Sequence, residues 1–287
     1  MRPLPPWLIK KAPKARNIRA IRDLLGDNSV HTVCESASCP NIGECFSKKT
    51  VTFMILGDIC TRSCSFCGVK KISGSPFAHT LYPIPYTLDP DEPKKVAQAA
   101  KKLDLHHIVL TSVTRDDLPD DGADQFVLTV SEIRKLMPKA EIELLVPDFG
   151  ADEELISKIV DIKPNILAHN VEMVPTLYNS LRPRSDYLKS LKVLKIAKNR
   201  NGSLYTKSGF MLGLGEKKDE VIGLMEDLRS VDCDILTIGQ YLQPSKEQVE
   251  VSEFIHPDTF IEYKSIAEEL GFKKVVAGPF VRSSYRI

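Results

Sequence analysis

From residue 51 onward the chain alternates short apolar or β-branched runs with longer stretches of helical period, six times in succession. The strand-like runs are 51–59, 107–113, 141–146, 165–171, 205–212 and 234–241, and the helix-like stretches are 92–103, 125–137, 152–160, 185–198, 218–230 and 258–270. In the first of these helices Val96, Ala99, Ala100 and Leu103 fall on one face, the spacing of a helix laid on a core. Ser185 or Asp186 and Asp258 are candidate helix caps, and Gly271 follows the last helix. Strict alternation leaves little choice of architecture, because consecutive strands must then pair in parallel through right-handed crossovers. The predicted fold class is α/β, a partial (βα)6 barrel with N- and C-terminal extensions. Its divisions are 1–50, 51–272 and 273–287. In such barrels the chemistry sits at the C-terminal ends of the strands and on the loops after them. Residues 74–90, with Pro76, Pro83, Pro85 and Pro90, read as a long irregular loop.

A chain of 287 residues accommodates one such barrel with extensions, or two domains. The longest apolar run, at 51–57, falls well short of the roughly 18 residues a membrane span needs. No charged-then-apolar leader opens the sequence, so the expectation is a soluble, cytoplasmic protein without a membrane role. The net charge of +1 hides an asymmetry: residues 1–22 carry seven basic side chains and no acidic one, which leaves the remainder at −6. This basic arm reads either as an extension packed down by Trp7, Leu8 and Ile9 or as a docking surface for an acidic partner. Its lack of serine speaks against an organelle transit peptide, and no aromatic stacking platform accompanies it, so nucleic acid is not an expected partner.

Six of the seven cysteines lie within 34 consecutive positions, and an odd, clustered set points to metal chemistry rather than disulfides. Cys60, Cys64 and Cys67 form a C-x3-C-x2-C run beginning where the first strand is predicted to end. Three thiolates on one loop suit separate irons of a cubane cluster, with the fourth iron left open; a zinc knuckle is the alternative, with an unusual spacing and no histidine nearby. Just upstream, Cys34, Cys39 and Cys45 form a C-x4-C-x5-C run, either a second three-thiolate site or structural cysteines. Cys233 reads as a buried packing residue.

The C-x3-C-x2-C motif, on this strand and followed by this barrel, resembles the radical S-adenosylmethionine superfamily. Within it, three segments look like those of the lipoyl synthases: Cys34-Glu-Ser-Ala-Ser-Cys39-Pro-Asn-Ile-Gly-Glu-Cys45, the stretch from Val51 to Cys67, and Arg282-Ser283-Ser284-Tyr285. The resemblance runs from about Trp7 to the C-terminus. It implies two [4Fe–4S] clusters and S-adenosylmethionine as cofactors. Cys60, Cys64 and Cys67 would hold the cluster that reductively cleaves S-adenosylmethionine. Cys34, Cys39 and Cys45, with Ser283 as fourth ligand, would hold an auxiliary cluster that supplies sulfur. The implied reaction inserts sulfur at C6 and C8 of an octanoyl chain amide-linked to a lysine of a lipoyl carrier protein, of the lipoyl-domain or glycine-cleavage H-protein type. The implied partners also include an electron donor such as ferredoxin or flavodoxin and an iron–sulfur cluster supplier. Another auxiliary-cluster enzyme forming C–S bonds, or a two-cluster electron carrier, are the other readings. Candidate S-adenosylmethionine contacts are Thr111 and Ser112 at the second strand's end, Asn170 and Glu172 at the fourth, Met211 at the fifth, Gln240 and Leu242 at the sixth, and Arg184 after an Arg-Pro-Arg turn. His79, His106 and His107 read as packing or surface histidines.

Overall fold

The computed structural model describes residues 3–10, 15–72 and 88–285, with backbone only for 15–17. The predicted 74–90 loop, His79, Lys11 and Lys14 lie wholly or mostly outside the described residues. A 3-10 turn at Pro6–Leu8 precedes α1 (Ala15–Asp27), β1 (His31–Thr32), α2 (Val33–Ser36) and α3 (Ile42–Ser47). Next come β2 (Thr52–Ile55), β3 (Ile59–Cys60), β4 (Lys70–Lys71), α4 (Glu92–Lys102), β5 (His107–Ser112), α5 (Ala123–Leu136) and β6 (Glu141–Leu145). The chain continues with α6 (Glu153–Asp161), β7 (Ile166–Ala168), α7 (Pro175–Leu181), α8 (Tyr187–Arg200), β8 (Tyr205–Leu212), α9 (Lys218–Ser230), β9 (Ile235–Gln240), α10 (Pro257–Glu269) and β10 (Lys274–Gly278).

The main sheet runs β1-β2-β5-β6-β7-β8-β9-β10, and its edge strands do not meet. It is the open, partial barrel anticipated from the alternation. Strand β1 is antiparallel to β2, and β10 adds a seventh parallel strand beyond β9. Helices cover the sheet, so its central strands are buried along their length rather than on alternate residues: all of Thr52–Ile55 and all of Ile235–Gln240 are buried. One core packs β2, β5 and β6 beneath α4, α5 and α6 around Phe53, Ile108, Phe126 and Ile142; a second packs β8 and β9 beneath α9 and α10 around Leu224, Leu236 and Phe260. Cys233 is fully buried in the second core, with its thiol 3.5 Å from the Ile235 carbonyl, which fits the packing role.

Several boundaries differ from expectation for reasons outside the local pattern. The first strand stops at Ile55 because Leu56 and Gly57 turn through left-handed φ of 69° and 83°. Glu92, from α4, fixes that turn by accepting the amides of Leu56 at 3.0 Å and Gly57 at 3.4 Å. Of the two candidate caps for α8, Asp186 does the work, accepting the Lys189 amide at 3.0 Å. His256, not Asp258, caps α10 through Nδ1.

Candidate functional site

Beyond the turn at Leu56 and Gly57 the chain enters β3, which ends on Cys60 and pairs with β4. The two short strands close residues 61–69 into a loop that carries Cys64 and Cys67. Contacts from several elements seat this loop on the barrel mouth. The Thr61 amide donates to the Thr114 carbonyl at 3.0 Å and its hydroxyl to Asp116 Oδ2 at 2.7 Å. The Ser65 amide donates to the Leu181 carbonyl at 2.8 Å, and the Val249 amide donates to the Ser65 carbonyl at 3.0 Å. Arg62, between the first two cysteines, forks onto Asp116 and Asp148. Nothing in the local pattern singled Arg62 out; its place inside the cysteine loop was the available signal.

The upstream triad is built by local helix chemistry. Thr32 caps α2, which places Cys34 in its first turn; the Cys39 amide then returns to the Cys34 carbonyl at 3.0 Å, and Cys45 sits in α3. The N- and C-terminal segments converge here. Lys10 Nζ donates to Asn41 Oδ1 at 2.6 Å and lies 4.1 Å from the centre of the Phe280 ring, while Asn41 Nδ2 donates to the Phe280 carbonyl at 2.6 Å. Gly239 in β9 lets the Val281 carbonyl approach where a Cβ would collide with it. The chain then turns, the Tyr285 amide donating to the Arg282 carbonyl at 2.8 Å.

One cavity of about 820 Å³ joins these parts: Cys34, Cys39, Cys67, Asn170, Glu172, Met211, Gln240, Leu242 and Ser283 all line it. The rest of its wall is largely apolar, with Leu4, Val33, Phe66, Val251 and Phe254. Cys45, Cys60 and Cys64 do not line it but are close enough to their triad partners to perturb them. Burial pushes the Cys34 thiol up to about 12, and Cys39 and Cys45 push the same way. Burial likewise raises Cys67 to about 12, with Cys64 and Cys60 adding to it. Buried thiolates that repel one another need a cationic partner to ionise, and a metal centre supplies one. Among the described residues no three Cys, His, Asp or Glu side chains converge on a single ion. Soft thiol donors of this kind suit iron–sulfur clusters.

Asn170 and Glu172 make part of the wall polar, with Glu172 close enough to Cys64 and Cys67 to act on both. Glu172 has a φ of 69°, and its backbone bridges to β8, accepting the Met211 amide at 2.8 Å. Burial raises its carboxyl, against the opposing pull of Arg182 and a 3.1 Å hydrogen bond from Asn170 Nδ2. Asn170 Oδ1 is buried without a hydrogen-bond partner in this cavity, an acceptor placed for an amino or hydroxyl group of a bound molecule.

Other predicted contacts fall elsewhere. Thr111 donates to the Leu145 carbonyl at 2.9 Å, and Ser112 is a buried, unpartnered hydroxyl at the end of β5; neither lines the cavity. Arg184 is exposed, whereas Arg182, two positions earlier, bonds the Tyr178 hydroxyl at 2.9 Å and faces Glu172 and Cys64. The Gln240 amide is committed to scaffolding, with Nε2 donating to the Leu212, Tyr241 and Glu253 carbonyls and Oε1 accepting the Ile255 amide at 2.8 Å.

Comparison with known proteins agrees with this picture. A family model for the radical SAM superfamily matches residues 54–228. The chain is 51% identical over 281 residues to a protein named lipoyl synthase from Caldicellulosiruptor saccharolyticus, covering 98% of this chain and 95% of that one. It is 50% identical to a lipoyl synthase from Caldanaerobacter subterraneus subsp. tengcongensis, covering 98% and 94%. Among solved structures it resembles methylornithine synthase in fold, with a TM-score of 0.57 at 18% identity over 93% of this chain and 76% of that one.

Proposed function

The chain belongs to the lipoyl synthase family of radical S-adenosylmethionine enzymes, and from that premise we propose that the shared cavity divides the work between its two cysteine triads. The reaction is insertion of two sulfur atoms into an octanoyl chain on a lipoyl carrier protein, with S-adenosylmethionine and [4Fe–4S] clusters as cofactors. When bound, these groups supply a 5′-deoxyadenosyl radical on one side and sulfur on the other.

In this reading Cys60, Cys64 and Cys67 ligate the cluster that meets S-adenosylmethionine. Cys34, Cys39, Cys45 and Ser283 ligate the auxiliary cluster. The observation that carries it is the single cavity lined by Cys67, Cys34, Cys39 and Ser283 together with an apolar wall. An alkyl chain bound against that wall would lie between the two centres and away from bulk water. Asn170 and Glu172 orient S-adenosylmethionine through its amino or ribose groups, with Met211 and Leu242 packing beside it. Arg182, close to Glu172 and Cys64, takes the place of Arg184 as the guanidinium for its carboxylate. Residues 1–50 carry the auxiliary cysteines, 51–272 the barrel and 273–287 the serine ligand, the last beginning as strand β10.

An electron donor of the ferredoxin or flavodoxin type and a cluster supplier follow as partners, since the cleavage consumes an electron and the transfer consumes sulfide. No disulfide joins any of the seven cysteines, which suits a reducing compartment, and we place the protein in the cytoplasm. Among the described residues no helix is long and apolar enough to cross a membrane. The test is anaerobic turnover with S-adenosylmethionine and an octanoyl-lysine peptide. Release of 5′-deoxyadenosine with gain of two sulfurs by mass spectrometry is expected; release without sulfur gain overturns the proposed role of the auxiliary triad.

A further inference from the structure

One buried ion pair has no part in the function proposed above. The Lys207 and Glu143 side chains are 1% and 2% exposed, and Lys207 Nζ lies 2.7 Å from Glu143 Oε1. They project from β8 and β6, on either side of β7, where the register partner of Lys207 is Ala168, a side chain small enough to pass across. His107 Nε2 stands 3.4 Å from the other Glu143 oxygen. The ammonium has donors to spare, and one goes 3.2 Å to the main-chain carbonyl of Tyr285, 78 residues away in sequence.

A buried ion pair is a weak source of stability, because desolvation offsets most of the attraction, and apolar side chains of similar volume would fill a barrel interior as well. Those side chains could not, however, donate a hydrogen bond to an arriving carbonyl. Tyr285 closes the turn that begins at Arg282, so Ser283 sits between two fixed points. On one side the Val281 carbonyl packs against Gly239; on the other Lys207 holds Tyr285.

We infer that Lys207, held in place by Glu143, is a positioning residue that anchors the C-terminal segment so that the Ser283 hydroxyl stands beside Cys34 and Cys39. This rests on the reading of Ser283 as an auxiliary-cluster ligand. Lys207 touches neither substrate nor cluster; it acts through the main chain of Tyr285.

The test uses the full-length, anaerobically reconstituted protein. Lys207→Met combined with Glu143→Gln removes both charges and leaves no buried charge unpaired; Lys207→Gln with Glu143→Gln is the second route if the first does not fold. Hydrogen exchange of the peptide spanning residues 279–285 should accelerate by roughly tenfold, the loss of one hydrogen bond from a charged donor, while strand β8 exchanges as before. Iron content should fall from about eight toward about four per chain as the auxiliary cluster is lost. Adding Ser283→Ala to the pair separates the two ideas. Exchange that still accelerates without the hydroxyl supports the anchor, and unchanged exchange at 279–285 in both backgrounds overturns it. Ser283→Ala alone with all eight or so irons retained overturns the serine as ligand and leaves the anchor to be judged on exchange.

Discussion

The Arg62 guanidinium grips the Asp148 carboxylate with both terminal nitrogens, Nη2 lying 2.7 Å from Oδ1 and Nη1 bonded to Oδ2. Nη2 also reaches Asp116 Oδ1 at 2.8 Å. One side chain of the Cys60–Cys67 loop is thereby tied to the loops that follow β5 and β6. Arg62 is 10% exposed and Asp148 2%, so removing either partner strands a buried charge.

Arg62→Ala should therefore destabilise the protein by about 3–5 kcal/mol in urea unfolding. Arg62→Lys keeps the charge but loses the planar fork and should recover only part of it. Both should lower radical-cluster iron after reconstitution. Full iron with full stability in Arg62→Ala would show that the loop is held by its backbone contacts alone.

The same pair sets the acid response. Burial alone would raise the Asp148 carboxyl, but Arg62 outweighs it and holds the group at about 2, below its ordinary 3.8. A depressed carboxylate gives stability that is fully present above the unfolded value and lost as pH falls toward the folded one. The contribution is on the order of 2 kcal/mol and should disappear between about pH 5 and pH 2. Urea unfolding across that range should show a shallower slope for Asp148→Asn than for the wild type.

What the sequence made legible follows from how local each feature is. Strand β8 and helix α9 fall on their expected residues, because apolar runs and helical spacing are carried within each segment. The early end of β2 depends on Glu92, an acceptor 36 positions away from Leu56. Ser185 is an acceptable cap by type, yet its hydroxyl lies 3.4 Å from Arg62 and the cap passes to Asp186. In Arg182-Pro183-Arg184, either arginine fits a carboxylate partner by chemistry. The left-handed φ of 69° at Arg184 belongs to the turn that leaves Arg182 close to Glu172 and Cys64, and no local pattern announces that. The cysteines were readable because their spacing is itself the chemistry; the anchors around them are long-range and were not.

Gly239 is a place where backbone packing and cluster chemistry meet. Gly239→Ala would drive a Cβ into the Val281 carbonyl, main chain that cannot swing aside as a side chain would. Overpacking of this kind costs about 1–3 kcal/mol. It should also displace Ser283, so auxiliary-cluster iron should fall while the radical-cluster signal persists in electron paramagnetic resonance. Loss of both signals together would mean that the substitution acts on the barrel as a whole.

The orphaned Oδ1 of Asn170 gives a binding prediction. If it accepts a hydrogen bond from S-adenosylmethionine, Asn170→Ala removes that bond and frees Glu172 from its 3.1 Å partner. Affinity measured by equilibrium binding should weaken about tenfold, corresponding to roughly 1.4 kcal/mol. Thr111→Ala, whose hydroxyl already serves the Leu145 carbonyl, should leave affinity unchanged.

The two triads should separate cleanly under single substitution. Cys60 terminates β3 and belongs to the loop seated by Arg62, whereas Cys34 sits in α2 and shares the cavity wall with Ser283. Each triad perturbs its own members, Cys39 and Cys45 acting on Cys34 and Cys64 and Cys60 acting on Cys67. Cys60→Ala should abolish release of 5′-deoxyadenosine and, with it, all sulfur transfer. Cys34→Ala should retain release but yield octanoyl peptide without added sulfur, and its iron content should drop to about four per chain. The decisive comparison is the ratio of 5′-deoxyadenosine released to sulfur inserted: it should rise without limit for Cys34→Ala, and equal loss of both activities in the two variants would show that the triads do not have separate duties.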